Sequence, residues 1–145
     1  MAAPSVWYFA TTARTNILSG NIKTGNAWNV ALFTSSWDHD GTTAYSTTNE
    51  VATNYGYTQG GISIGTKAIA GTTSVTVKFP ASIVSTWNVS GGSVVARCVC
   101  LYDTIATGNN IVAWAYLDST PADITVTTGN SLTVGTTSAT ILTLA

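Results

Sequence analysis

Asp38, His39 and Asp40 are consecutive, and His39 is the chain's one histidine. Three such donors could begin a divalent-metal site. An EF-hand loop, however, needs oxygen ligands at alternate positions up to a terminal glutamate, and Gly41, Thr42 and Thr43 do not continue the pattern. The run is expected instead to be a solvated turn in which an aspartate caps its own backbone, with His39 exposed. A serine hydrolase of the strand–elbow–helix type would need G-x-S-x-G, which does not occur. Paired carboxylates for glycoside hydrolysis would have to come from Glu50, Asp103, Asp118 and Asp123, and nothing in the sequence brings two of them together. Cys98 and Cys100 alternate in an apolar run and so point to one side of a strand. A disulfide between them would be strained, and they read as small buried hydrophobes. No catalytic group, cofactor site or metal site is expected, and the chain reads as a non-enzyme.

Two further sets of residues stand out. Glu50 is the only glutamate, set between the polar run Thr47-Thr48-Asn49 and Val51, where it could accept backbone hydrogen bonds that close a long loop. The 5 tryptophans and 6 tyrosines could form a carbohydrate-stacking platform. Trp28, Trp87 and Trp114 fall in alternating apolar stretches, where burial is expected, which leaves Trp7 and Trp37 as exposed candidates.

The elements that must position these residues follow from composition. The chain has 145 residues, 45% of them hydrophobic and only 8% charged, with 27 Thr, 14 Ser and 10 Asn supplying the polar face. Threonine favours strands, while Glu and Lys, the good charged helix formers, are nearly absent. One all-β domain spanning 1–145 is expected. A formal net charge of -1 provides no basic footprint for nucleic acid and no polybasic patch for a membrane. No apolar stretch approaches the roughly 18 residues that cross a bilayer, and the opening residues do not read as a signal peptide. So little charge protects weakly against association, so much of the surface is expected to meet neighbouring subunits.

Along the chain, residues 1–20 read as an N-terminal arm with a short helix from Tyr8 to Leu18, closed by Gly20. Ala27 to Trp37 reads as a strand, 38–61 as a long loop packed by Tyr45, Tyr55 and Tyr57, and 62–79 as strands that include a hairpin. Ile83–Val89, Val94–Tyr102, Ile111–Leu117, Ile124–Thr127, Leu132–Val134 and Thr140–Leu144 follow, with Val94–Tyr102 the best central strand. About eight or nine short strands with Gly, Asn and Ser turns predict a jelly-roll-like β-sandwich.

One ordered set of motifs carries a resemblance: Ala31-Leu32-Phe33-Thr34, then Tyr45, Glu50-Val51 and Gly56-Tyr57-Thr58-Gln59-Gly60-Gly61. An apolar strand with Trp87 follows, then Val95-Ala96-Arg97 and Leu101-Tyr102-Asp103. In this order, over most of the chain, the sequence resembles small virion proteins of tailed bacteriophages. The resemblance implies a structural role in the virion, assembled in the host bacterial cytoplasm. Capsid decoration, or cement, fits best, with the phage major capsid protein as partner and a homo-oligomer, a trimer, as the assembly. A tail, neck or head-fibre component is the alternative, and a carbohydrate-binding module is the alternative of another class. Within the motif, Gly56, Gly60 and Gly61 are expected to permit positive φ and close backbone approach, and Tyr57 to pin the loop. Arg97, alternating into the most apolar strand, would need a carboxylate partner, for which Glu50 or Asp103 is the natural choice. Trp7, Tyr8, Phe9 and Trp37, together with the C-terminal stretch Ala139–Ala145, are candidate interface residues.

Overall fold

A computed structural model describes residues 6–65, 67–71, 74–78, 85–135 and 140–144. The expected end of the 62–79 strands, the start at Ile83, and both ends of the C-terminal stretch, Ala139 and Ala145, lie outside them. The chain is all-β, with one short helix among the described residues. Among the described residues there are twelve strands: β1 Tyr8–Phe9, β2 Trp28–Phe33, β3 Ile62–Ser63, β4 Ala68–Ala70, β5 Val75–Lys78 and β6 Ser85–Asn88. After these come β7 Ser93–Ala96, β8 Cys98–Asp103, β9 Ile111–Tyr116, β10 Ile124–Thr127, β11 Ser131–Val134 and β12 Thr140–Leu144.

Every strand pair is antiparallel. The principal sheet has the order β1-β9-β8-β2-β3, and β12-β5-β4 form a second sheet. The remaining four strands make a bent ribbon, in which β7 pairs with β10 and β6 with β11. Residues 89–92 face residues 128–130 at the bend, where Val89 N–H donates to Asn130 O at 2.9 Å and Thr128 N–H to Gly92 O at 2.9 Å. Four residues against three make a bulge, which bends the ribbon while the alternation on either side holds Trp87, Leu132, Val94 and Val126 inward. Among the described residues, the buried hydrophobic side chains other than Ala106 form one continuous cluster, with Trp28, Phe33, Leu32 and Leu101 among the largest.

Three differences from the sequence expectation account for the higher strand count. Tyr8 and Phe9 do not begin the helix: they pair with Trp114 and Ala113, and the helix α1 spans only Ala13–Leu18. Aromatic side chains gain more on the edge of an apolar sheet than in the first turn of an isolated helix. Gly20, at φ 77°, closes α1 as expected. Second, β3 and β4 belong to different sheets. Third, the apolar run Val94–Tyr102 breaks at Arg97 and passes from the ribbon to the centre of the principal sheet. Arg97 N–H donates to Phe33 O at 2.8 Å, and Leu117 N–H donates to Arg97 O at 2.9 Å. The strand expected to run to Trp37 stops at Phe33, because the chain turns at Thr34 and folds Trp37 back onto the Phe33 ring, 4.4 Å between centroids.

β2 is the strand on which the long loop closes. Its inner edge runs the length of β8, from Trp28 opposite Asp103 to Phe33 opposite Cys98. Its outer edge meets β3 at Asn29 and Val30, and beyond that the loop itself at Phe33 and Glu50. The loop can approach so closely because Gly61 has φ 68° and no side chain: a Cβ there would stand 1.8 Å from Val30 O. The Gly61→Ala variant is therefore expected to lose roughly 3 kcal/mol or more of stability. Gly108→Ala, at φ 84° with open space around it, is expected to lose about 1 kcal/mol, the cost of the left-handed conformation alone. Urea denaturation of the two variants against the parent chain checks the contrast.

Candidate functional site

Tyr45, Tyr57 and Gly60 converge on one buried carboxylate. Glu50 is 6% exposed. Its Oε2 accepts the hydroxyl of Tyr45 at 2.6 Å, and its Oε1 accepts the hydroxyl of Tyr57 at 2.6 Å and the N–H of Gly60 at 2.8 Å. Tyr57 in turn accepts the N–H of Leu32 at 2.9 Å, so its hydroxyl links the loop carboxylate to the backbone of β2. The adjoining Val51 N–H donates to Leu32 O at 2.9 Å. Tyr45 lies flat on Tyr102, 3.9 Å between centroids and 5° between planes, and Tyr102 donates to Gly60 O at 2.8 Å. Asn29 Nδ2 donates to the same carbonyl at 2.9 Å. Gly56, at φ 94°, lies against the ribbon, where a Cβ would stand 2.2 Å from Asn88 O. Glu50, Gly56, Tyr57, Gly60 and Gly61 thus form one lock that fastens residues 45–61 to β2, β8 and the ribbon.

Arg97 does not join it. Its Nε donates to Asp123 Oδ1 at 2.8 Å, and both side chains are about a third exposed or more, so the pair is a surface ion pair. The expected partners, Glu50 and Asp103, are occupied elsewhere. The reason is the break between β7 and β8: Arg97 lies outside both strands, where its side chain reaches the segment leading into β10 rather than the core. Asp103 is fully buried. Its Oδ1 accepts the N–H groups of Ile105 at 2.9 Å and Ala106 at 3.0 Å, while Oδ2 accepts Asn26 Nδ2 at 2.7 Å and Lys23 N–H at 3.2 Å. Burial alone would raise its carboxyl, but these hydrogen bonds outweigh it and hold the group below the usual carboxylate range.

The candidate interface residues separate. Tyr8 remains 46% exposed, stacked on Trp114 at 4.8 Å. Trp7 and Phe9 pack partly buried against the core, with the Arg14 guanidinium 4.7 Å from the Phe9 ring centroid. Trp37 is buried at 6% exposure, against the expectation of an exposed ring, because it stacks on Phe33. His39 also turns inward rather than into solvent. Its ring stacks on Trp114 at 3.8 Å, and its Nε2 lies 2.9 Å from the Tyr116 hydroxyl. Nδ1 is 3.0 Å from Asp40 Oδ1 without the alignment of a hydrogen bond. The alternation Trp37-x-His39 facing Trp114-x-Tyr116 was the available signal for this ring cluster. Asp38 does form the expected capped turn, accepting Gly41 N–H at 3.0 Å.

Among the described residues no group of three His, Cys, Asp or Glu could hold a metal ion. Burial pushes the Cys98 thiol up to about 11 and that of Cys100 well above its ordinary value, so both are inert thiols at neutral pH. Among the described residues no helix is long and apolar enough to cross a membrane. No protein-family model matches the chain, and neither does any curated protein or solved structure.

The lock sets an alkaline limit on stability. Burial, then the bond to and charge of Glu50, raise the Tyr45 and Tyr57 hydroxyls far above 10. A tyrosine whose folded value is raised keeps its proton while the unfolded chain releases it, so its contribution is intact below about pH 10 and lost above it. The urea midpoint is expected to fall steeply above pH 10, with Tyr57 alone adding about 1.4 kcal/mol per pH unit. Tyr57→Phe leaves Leu32 N–H without its acceptor and is expected to cost about 1–3 kcal/mol at pH 7 while making the alkaline fall shallower. Urea titrations of both chains at pH 7, 10 and 11 measure both effects.

Proposed function

We propose that this chain is a structural protein of a tailed-bacteriophage virion that decorates the capsid shell, binding between subunits of the major capsid protein. In this reading it is a homo-oligomer, a trimer, and its sheets close as a jelly-roll-like sandwich. The observation that carries the reading is the lock around Glu50. Of the residues of the resemblance, Tyr45, Tyr57 and Gly60 bind Glu50, and both side-chain oxygens of that sole glutamate already accept a strong hydrogen bond. A carboxylate spent entirely on holding its own loop supports a role in architecture rather than in turnover.

Two surface features favour assembly. Few charges repel an approaching neighbour. Val6, Tyr8, Leu18, Tyr55, Val95 and Ile105 remain exposed as apolar contacts, with Leu18 at 89%. A carbohydrate-stacking platform is disfavoured, since Trp37 is buried and Trp7 partly so.

Quantitative mass spectrometry of purified particles tests the proposal through the copy number of this chain relative to the major capsid protein. Near parity is the expected result. A small fixed number would replace shell decoration by a tail, neck or fibre position, and absence from the particle would overturn a virion role altogether.

A further inference from the structure

Asp40-Gly41 is the chain's one Asp-Gly pair, and no Asn-Gly occurs. In such a pair a bond from the glycine nitrogen to the aspartate Cγ closes a five-membered ring, and glycine places no side chain in the way. The reacting atoms are held together by the chain itself, which favours the intramolecular step. Three further groups surround this peptide. Asp38 Oδ1 accepts the Gly41 N–H at 3.0 Å, and the carboxylate lies so close that a Cβ on Gly41 would stand 2.3 Å from Oδ2. Thr11 Oγ1, from the segment between β1 and α1, donates to Asp40 O at 2.7 Å. His39 Nδ1 is 3.0 Å from Asp40 Oδ1 and has no hydrogen-bond partner. The Asp40 side chain is 79% exposed, so its carboxyl has room to turn and solvent water reaches it. A base on the nitrogen, a donor on the carbonyl and a proton carrier beside the carboxyl therefore meet at one peptide bond.

We propose that Asp40 isomerises to isoaspartate through a succinimide, with Asp38, Thr11 and His39 assisting. The Gly41 nitrogen attacks Cγ of Asp40 while Asp38 takes its proton. The Thr11 hydroxyl steadies the negative charge that gathers on Asp40 O as the peptide loses that proton. One carboxyl oxygen of Asp40 leaves as water with two protons, one delivered by protonated His39 and the other the nitrogen's own, returned by Asp38. Solvent water then opens the ring at the former Asp40 carbonyl. Its hydroxyl goes to that carbon, one proton returns to the Gly41 nitrogen, and the proton of the new carboxyl returns to His39. The main chain now runs through Cβ and Cγ, so the turn is longer by one main-chain atom while mass and net charge are unchanged. The carbonyl that opens is the one Thr11 holds, so the reaction alters a tie between the N-terminal arm and the turn. This chemistry does not depend on the virion reading.

The test incubates the full folded chain at neutral pH in water enriched in the heavy oxygen isotope. Beside it stands the same chain unfolded in guanidinium chloride, where the sequence is unchanged and the neighbours are gone. After digestion, the peptide carrying Asp40 is expected to yield a second chromatographic species that holds one heavy oxygen and resists a protease cutting before aspartate at that position. Folding is expected to speed its formation roughly 10-fold, less than the about 100-fold or more of a buried acid–base site, because this turn is exposed. Asp38→Asn, whose amide oxygen still accepts the Gly41 N–H but takes no proton, should fall to the unfolded rate, and Thr11→Val should be slower than the parent. Absence of isoaspartate at residue 40, or a folded rate equal to or below the unfolded one, overturns the proposal, and this comparison requires no variant to fold. An unchanged rate in folded Asp38→Asn overturns it equally.

Discussion

A carboxylate taken out of water must recover from the protein the hydrogen bonds it has lost, or the fold loses several kcal/mol. Glu50 imposes that requirement on the whole segment from Tyr45 to Gly61. Two tyrosine hydroxyls and one backbone N–H satisfy it, and each donor is itself held by something else: Tyr57 by the backbone of β2, Tyr45 by the face of Tyr102, Gly60 by Tyr102 and Asn29. The bonds are short and charge-assisted, the stronger class. A long loop without regular structure would ordinarily be the least stable part of a small domain. Here it is bound into the core by the one group that could not have been buried without it.

The same segment solves a second problem. A sheet edge with unpaired N–H and C=O groups invites pairing with another chain. β2, the most buried strand beside β8, would present such an edge beyond the two residues paired with β3. The loop occupies it, with Asn49 and Val51 bonding to Thr34 and Leu32, and with the Tyr57 hydroxyl standing in for a backbone carbonyl. At the far side of the sheet, β1 covers part of β9 in the same way. The polar surface can then consist of threonine, serine and asparagine without the charged residues that usually guard exposed strands.

Much of this was legible in the sequence because it is local. The apolar residues of Trp28-x-Val30-x-Leu32 and of Cys98-x-Cys100 mark strands, which the structure buries on both faces, and Gly60-Gly61 marks a place where backbones come together. Glu50 was singled out because one acid among apolar and hydroxylic neighbours has few ways to be stable. What local pattern does not carry is the choice of partner. Arg97 sits in an apolar run, a pattern that predicts a buried carboxylate partner. Whether the strand continues through it is decided by pairing with Phe33 and Leu117, which are distant in sequence. Trp37 and His39 lie in a polar stretch and read as exposed, and only the aromatic surface presented by β2 and β9 turns them inward. Tyr8 and Phe9 fit a helix or a strand equally well until β9 exists to receive them.

That last dependence has a temporal side. β1 lies at the start of the chain, but the residues it pairs with, Ala113 and Trp114, are more than a hundred positions later. β2 likewise waits for β8. Contacts of such long range are closed late and slowly, after the entropy of a large intervening loop has been lost. During synthesis the aromatic arm therefore leaves the ribosome with nothing to lie on, and it finds its seat only when most of the polypeptide has emerged. Docking of the arm becomes a mark that β9 has been made: a chain cut short before it would carry Trp7, Tyr8 and Phe9 uncovered, open to chaperones and proteases.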